Sequence, residues 1–394
     1  MLNGTREIQA RRAAIYCNAL LALFAILAAS PGPVRALDMP AAAAAIDQAA
    51  RSAIANQETP GLQVAVYKDG APLLVKSYGL ANLELNVPVS NDSAFRIGSV
   101  TKQFTAVALL QLQEEGKLTV SDKLSKYYPD YPRAADITLA QLLHHTSGLH
   151  NYTEDEIFGK RDQAMTMSTD QWVEHFARMP KTQDFEPGTS WHYSNTGYFL
   201  LGGVVEKVAA KPLAAVFRDR FFTRLGMTHT ALDDEKEIVP GRVAGYEGDA
   251  QGAFKNAQFI SMTAPGAAGA MRSTASDLVR WSSALFGGKL LQPASFQAMI
   301  TPGKLNDGRL SSSAIPGDHL EGGEYGYGLV IGKLQGHASI GHGGGIDGFS
   351  SLLTQFPEDG ITLAVIANSI GADKGAGKVA KRIRLIAIGE KEPQ

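Results

Sequence analysis

Between Val100 and Gly116 the chain sets Phe104, Val107, Leu110 and Leu112 at helical spacing, with Ala106, Ala108 and Leu109 between them and almost no polar face before Glu114. A helix apolar nearly all round is a buried helix, so the rest of the chain must close around this stretch, with Gly116 ending it. At its head stands Ser99-Val100-Thr101-Lys102. Ser99 falls in the first turn, where free backbone N–H groups and the positive end of the helix dipole favour negative charge. Lys102, three residues on, shares that face and is close enough to touch the Ser99 hydroxyl. Burial disfavours an ammonium and lowers its pKa, which suits a lysine to accept a proton from a serine nucleophile. The plainer alternative makes Ser99 an N-cap and lets Lys102 snorkel to water, and four residues alone do not separate the two.

The chain has 394 residues, 44% hydrophobic and 19% charged. One large or two interlocked domains with an ample core are expected. Residues 1–36 read as a secretory signal peptide. Arg6, Arg11 and Arg12 form its basic start, Ala13 to Ala29 its apolar stretch, and Val34-Arg35-Ala36 its cleavage site. An uncleaved anchor is the alternative, for which the apolar stretch is short and Pro31 and Pro33 are ill suited. Export places the mature chain in the periplasm or outside the cell, with no stable membrane anchor once the leader is cut. The one cysteine, Cys17, lies in the leader, so the mature chain has no disulfide, cysteine nucleophile or thiolate metal site. With 37 Lys and Arg against 39 Asp and Glu and no basic run, the charge makes no case for nucleic acid or an anionic membrane.

Along the chain, an Ala-rich helix (Ala41 to Ile54) precedes a β-hairpin, Leu62 to Lys68 and Pro72 to Tyr78, turned by Asp69-Gly70. From Ser99 to about residue 320 the pattern is mostly helical: Leu139 to His144, Thr169 to Arg178, Gly197 to Ala209, Leu213 to Phe222 and Ser276 to Phe286. Asn306 to Gly323 reads as surface loop. Strand patterns return at Tyr327 to Lys333, Ala338 to His342, Ser350 to Phe356 and Ile361 to Asn368, an antiparallel meander, before a last helix from Lys374 to Gly389. The expected fold is α/β in the α+β sense. An antiparallel sheet flanked by helices is built from residues 37–98 and 325–394, with a mainly helical insert over 99–324.

Two further stretches carry polar groups suited to a cleft. Tyr193-Ser194-Asn195 lies on a loop before an apolar helix, so tyrosine and amide can point into one cleft as proton shuttle and hydrogen-bond donor; alternatively Tyr193 packs and Asn195 caps the helix. In Gly341-His342-Gly343-Gly344-Gly345-Ile346-Asp347-Gly348, consecutive glycines mark a close approach to the backbone, where an N–H could complete an oxyanion hole with that of Ser99. A bulged strand end or a turn is the alternative there. No H-E-x-x-H pattern occurs among the nine histidines, and no metal or cofactor is expected. His144 and His145 are read as structural.

In order and spacing the three motifs resemble the serine β-lactamase and penicillin-binding superfamily, whose pattern is S-x-x-K, Tyr/Ser-x-Asn and Lys-Thr-Gly. Phe95-Arg96-Ile97-Gly98-Ser99, Leu142-Leu143-His144-His145-Thr146-Ser147-Gly148-Leu149 and Ser273-Thr274-Ala275-Ser276-Asp277-Leu278 look like its class C β-lactamase, DD-peptidase and esterase branch. The resemblance implies the β-lactamase/transpeptidase-like fold, with Ser99 as acylated nucleophile, Lys102 as its proton partner and Tyr193 as the base shared with it. It also implies that Asn195 holds the acyl side of the substrate and that Gly345 supplies the second oxyanion N–H. One departure is that the third motif's lysine is His342, followed by Gly343 and Gly344 in place of Thr-Gly. An unperturbed imidazole is mostly neutral at pH 7 and gains charge toward pH 6, so carboxylate substrates should be favoured less than by a lysine at neutral pH, with activity on them rising as pH falls toward 6. The expected function is an exported serine hydrolase acting through a Ser99 acyl-enzyme on ester, D-amino-acid peptide or related amide bonds of a small molecule or peptidoglycan peptide. The alternatives are a class C β-lactamase and a non-catalytic penicillin- or muropeptide-binding sensor.

Overall fold

The computed structural model describes residues 38–249, 252–311, 320–371 and 374–391; the leader read at residues 1–36 lies outside them. Asp69 and Gly70 have φ of 51° and 79°, the left-handed pair that a two-residue hairpin turn needs to match strand twist. They join β1 (Gly61–Lys68) to β2 (Ala71–Asn82), and β3 (Val87–Pro88) pairs with β2. Near the other end of the chain, β4 (Glu321–Tyr325) precedes β5 (Val330–Leu334), β6 (His337–Ile346), β7 (Phe349–Phe356) and β8 (Ile361–Ala367), and the last four are the expected meander. β8 lies antiparallel to β1 with Val64 opposite Val365, so the sheet runs β3-β2-β1-β8-β7-β6-β5-β4. The two end segments of the fold therefore share one sheet.

The helices that fix the layers are α1 (Met39–Ala55), α2 (Thr101–Glu114), α3 (Asn195–Ala209), α4 (Ala275–Phe286) and α5 (Ala376–Ala387). Strands β1 and β8 are covered on both faces, which is why they read as apolar runs. Val64, Val66, Leu363 and Val365 pack with Ile46 of α1 and Val379 and Ile383 of α5. Ala65, Ala364 and Ile366 turn to the core shared with the helical part. Every residue of α2 from Thr101 to Leu110 is buried. Phe104 stacks on Trp281 of α4 at 3.8 Å between centroids, adding roughly 0.5–1.5 kcal/mol to its area burial. Gly116, at φ 70°, follows the end of α2 as expected.

Three details depart from the sequence reading. The end of the Asn306–Gly323 loop enters β4, an edge strand paired with β5, whose Glu-Gly-Gly-Glu-Tyr sequence has no apolar alternation to announce it. Leu213 to Phe222 is a short helix, Leu213–Phe217, followed by a π-helical turn, Arg218–Phe222; Phe217, Phe221 and Phe222 all gather around Phe104. The glycines after His342 lie inside β6, and the chain turns only at Asp347-Gly348. Among the described residues no helix is long and apolar enough to cross a membrane.

Candidate active site

The chain enters α2 through a 3-10 turn, Gly98–Val100, which holds Ser99. This turn is pinned from three sides. Ile97 N donates to Met271 O at 2.9 Å, Ser351 Oγ donates to Ile97 O at 2.8 Å, and Thr101 Oγ1 donates to Gly98 O at 2.7 Å. Gly98 has φ 50°, and a Cβ on it would stand 2.8 Å from both N and O of Gly345. A Cβ on Gly344 would overlap Ile97 O and lie 2.5 Å from Ser351 Oγ. The close approach that the glycines announced is thus first of all the chain's own, with the turn that carries Ser99 pressed onto β6.

Lys102 is fully buried, and it does not snorkel. Its Nζ lies 3.1 Å from Ser99 Oγ, 2.7 Å from Asn195 Oδ1 and 2.9 Å from Ala268 O. It also stands 4.7 Å from the centroid of the Tyr193 ring and 5.5 Å from that of Tyr198. Among the described residues no carboxylate offsets the burial, which holds its pKa well below the ordinary lysine value.

Tyr193 and Asn195 reach this point because the loop before α3 is held from behind. Ser194 caps α3, accepting from Gly197 N at 3.4 Å, which leaves Asn195 free of the capping role. The Asn195 amide is oriented at both ends, its Oδ1 by Lys102 and its Nδ2 by Thr153 Oγ1 at 3.1 Å. Ser194 N donates to His145 Nδ1 at 3.1 Å. His145 packs its ring 4.4 Å from that of Tyr193 and 4.5 Å from that of Tyr325. Burial keeps this imidazole neutral, so His145 is structural, and so is His144, whose Nδ1 meets Tyr325 O at 3.2 Å.

His342 is buried on β6, with Nδ1 donating to Gly343 O at 2.5 Å and Nε2 accepting from the Tyr325 hydroxyl at 2.9 Å. With both nitrogens committed in the neutral form, burial and then the charge of Lys102 push its pKa down to about 3. The expectation that His342 would gain charge near pH 6 is therefore corrected: a histidine this enclosed stays neutral across the physiological range.

All seven residues singled out from the sequence, Ser99, Lys102, Tyr193, Asn195, His342, Gly344 and Gly345, meet in one region with a cavity on either side of Ser99. One, of about 590 Å3, is lined by Tyr193, Trp191, His192, His342, Gly344 and Gly345. The other, of about 380 Å3, is lined by Asn195, Tyr152, Phe158, Gln163, Gly345 and Asp347. Strand β5 pairs with β6 only as far as Val330 opposite Gly341, so among the described residues the edge of β6 from His342 to Ile346 is left open to these cavities. Tyr325, Trp191, Gln163 and Asp347 were not anticipated. Of these Asp347 carried a signal, the Asp-Gly turn dipeptide, and Trp191 lies two residues before Tyr193 in the same loop; Tyr325 and Gln163 are brought in by contacts distant in sequence. Among the described residues no group of His, Cys, Asp or Glu is placed to hold a metal ion.

A family model described as Beta-lactamase matches residues 46–388. Penicillin-binding protein 4* of Bacillus subtilis (strain 168) is 27% identical over 308 residues, 74% of this chain and 64% of that protein; the chain thus spans less than two thirds of this relative. Among solved structures, D-amino acid amidase from Ochrobactrum anthropi SV3, complexed with L-phenylalanine amide, superposes with a TM-score of 0.77 at 26% identity, covering 89% of this chain and 99% of that one. A D-stereospecific amidohydrolase from Streptomyces sp. gives 0.74 at 30% identity, covering 88% and 99%.

Proposed function

The chain belongs to the Beta-lactamase family, and from that premise we propose that it is an exported serine hydrolase that cleaves amides or short peptides of D-amino acids through an acyl-enzyme on Ser99. The observation that carries this reading is the buried lysine 3.1 Å from the serine hydroxyl. A neutral amine has two N–H donors and one lone pair. At Lys102 the donors are matched by Asn195 Oδ1 and Ala268 O, two groups that only accept, which leaves the lone pair to receive the Ser99 proton.

In the reaction we infer, Ser99 Oγ adds to the substrate carbonyl carbon as its proton passes to Lys102. The Ser99 and Gly345 N–H groups stabilise the oxyanion. The Lys102–Tyr193 pair then returns the proton to the leaving nitrogen, the C–N bond breaks, and water, deprotonated by the same pair, releases the acid from the Ser99 ester. The Asn195 side receives the acyl part and the His342 side the leaving group. The similarity to a D-amino acid amidase and a D-stereospecific amidohydrolase supports an amide substrate of D configuration, and the leader at residues 1–36 supports action outside the cytoplasm. A class C β-lactamase reading draws less support, because the substrate carboxylate would meet a neutral imidazole. The sensor reading draws less still, because serine, lysine and tyrosine stand together.

A phosphonate probe is expected to add its mass to the peptide containing Ser99, and the Ser99→Ala protein to stay unlabelled; labelling that persists elsewhere in that variant would end this reading. Because His342 stays neutral, the kcat/KM ratio of a carboxylate-bearing substrate to a neutral ester is expected to be flat from pH 8 to 5.5. A ratio that climbs toward pH 5.5 would show that His342 takes up a proton in that window.

A further inference from the structure

Strands β6 and β7 are joined by Asp347 and Gly348, and an Asp-Gly turn accounts for an aspartate at that position. It does not account for where the carboxylate sits. Asp347 forms part of the wall of the 380 Å3 cavity that also contains Ser99, Asn195 and Gly345. Its Oδ2 accepts from Gln163 Nε2 at 3.1 Å. Gln163 is itself held, its Nε2 also donating to Phe259 O at 3.1 Å and its backbone carbonyl accepting from Ser261 N at 2.9 Å. Among the described residues nothing donates to Oδ1, and no lysine, arginine or histidine forms an ion pair with Asp347. Arg96, whose charge is felt there, is bound to Asp233, Nε to Oδ2 at 3.0 Å. Burial, reinforced by the charge of Glu247, raises the Asp347 pKa above the ordinary aspartate value. This is a positioned carboxylate, one oxygen unclaimed, in a cavity short of positive charge.

We propose that Asp347 selects substrates with a free α-ammonium group on the acyl side of the scissile bond, receiving that group at Oδ1. The inference rests on the reading of Ser99 as nucleophile and of the Asn195 side as the acyl side. In an α-amino-acid amide the nitrogen is attached to the carbon next to the carbonyl, so a carbonyl at Ser99 carries its ammonium into this same cavity. A primary ammonium has three donors and a positive charge, the complement of what the wall presents. An N-acylated substrate would bring a neutral amide there and leave the carboxylate desolvated and unpaired, the kind of mismatch that a polar site rejects most strongly. The substrate class narrows accordingly to amides and peptides with a free amino terminus.

The test compares D-alanine p-nitroanilide with isobutyric p-nitroanilide, in which a methyl group replaces the ammonium, on the wild-type protein, Asp347→Asn and Asp347→Ser. Asn and Ser both suit the turn, and titration of Ser99 with a neutral phosphonate gives the concentration of active sites. The ammonium also activates the carbonyl by induction, but that effect is common to all three proteins and cancels when their substrate ratios are compared. The kcat/KM ratio of the two substrates is expected to fall about 10- to 100-fold in both variants, the range for losing a charge-assisted hydrogen bond, while the isobutyric rate per active site does not fall below wild type. A wild-type protein with no preference for the ammonium substrate overturns the proposal, as does a ratio unchanged in the variants or an equal loss on both substrates. Should the phosphonate fail to label Ser99 at all, it is the serine reading that falls, and the two failures are told apart by that titration.

Discussion

Lys102→Met is expected to lower kcat by about 10²–10⁴-fold, the range for losing a general base, while the protein stays folded. Methionine matches the length of the lysine stem and carries no charge, so the apolar contacts of α2 persist. What disappears is the only basic nitrogen within hydrogen-bond distance of Ser99 Oγ among the described residues. Tyr193→Phe should cost a similar factor. Its ring lies against the same amine, with Nζ 4.7 Å from the centroid, and we read the two side chains as one path for the proton. Members of such a unit are not additive, because once the path is broken the second deletion removes little more. The double variant is therefore expected to fall close to the worse single one, and losses that multiply would show two independent roles. The wild-type pH profile follows from the same amine. Its pKa is lowered by burial, so the reactive neutral form predominates above that lowered value, and kcat/KM falls as pH drops through it. In Lys102→Met this acid limb should vanish from the residual activity.

Gly344→Ala is expected to lower kcat by about 10²–10³-fold and to reduce thermal stability as well. The added Cβ would overlap Ile97 O and stand 2.5 Å from Ser351 Oγ. Both contacts are closer than real Cβ atoms come, and one is to backbone, which cannot swing aside. Relief requires the Ser99 turn to move away from β6, stretching the 2.8 Å bond from Ser351 Oγ to Ile97 O. Overpacking of this kind costs about 1–3 kcal/mol, and displacing Ser99 by about 1 Å from the Gly345 N–H costs on the order of 10² in rate. The neighbouring position supplies the control. A Cβ on Gly345 meets only the tip of Ile370, at 3.0 Å, so Gly345→Ala should unfold within a degree or two of wild type by differential scanning fluorimetry. Equal thermal losses in the two variants would contradict the close-approach account.

Signals confined to neighbouring residues were legible before any coordinates. The all-round apolar pattern of Phe104, Val107 and Leu110 announced a helix that had to be central, and Asp69-Gly70 announced a hairpin whose turn has the left-handed pair it needs. The serine–lysine spacing placed two side chains on one face of α2. The order of the three motifs, through the family resemblance it carries, and the strand patterns at both ends of the chain announced the fold class. The weakest local signals were lost. Glu321–Tyr325 is a strand only because β5 lies beside it, and its glycines and glutamates show no period of two.

What the sequence determined by itself is therefore whatever periodicity, turn chemistry and residue order can encode: the enclosed helix, the two-ended sheet, and a serine with a lysine one turn along. Tertiary structure alone decided the state of each polar group. Lys102 is held by Asn195 and Ala268, 93 and 166 residues away in the chain, and it is burial in the interior these segments close that lowers its pKa. His342 looks like a pH-sensitive cation in the sequence and is a neutral imidazole in the fold, because burial and then the charge of Lys102 hold its pKa down to about 3, with the hydroxyl of Tyr325, 17 residues earlier, on its Nε2. The physical reason is the same for both residues and for Asp347. A side chain's charge is set by desolvation and by the few groups within hydrogen-bond reach, and those groups are chosen by how distant segments pack.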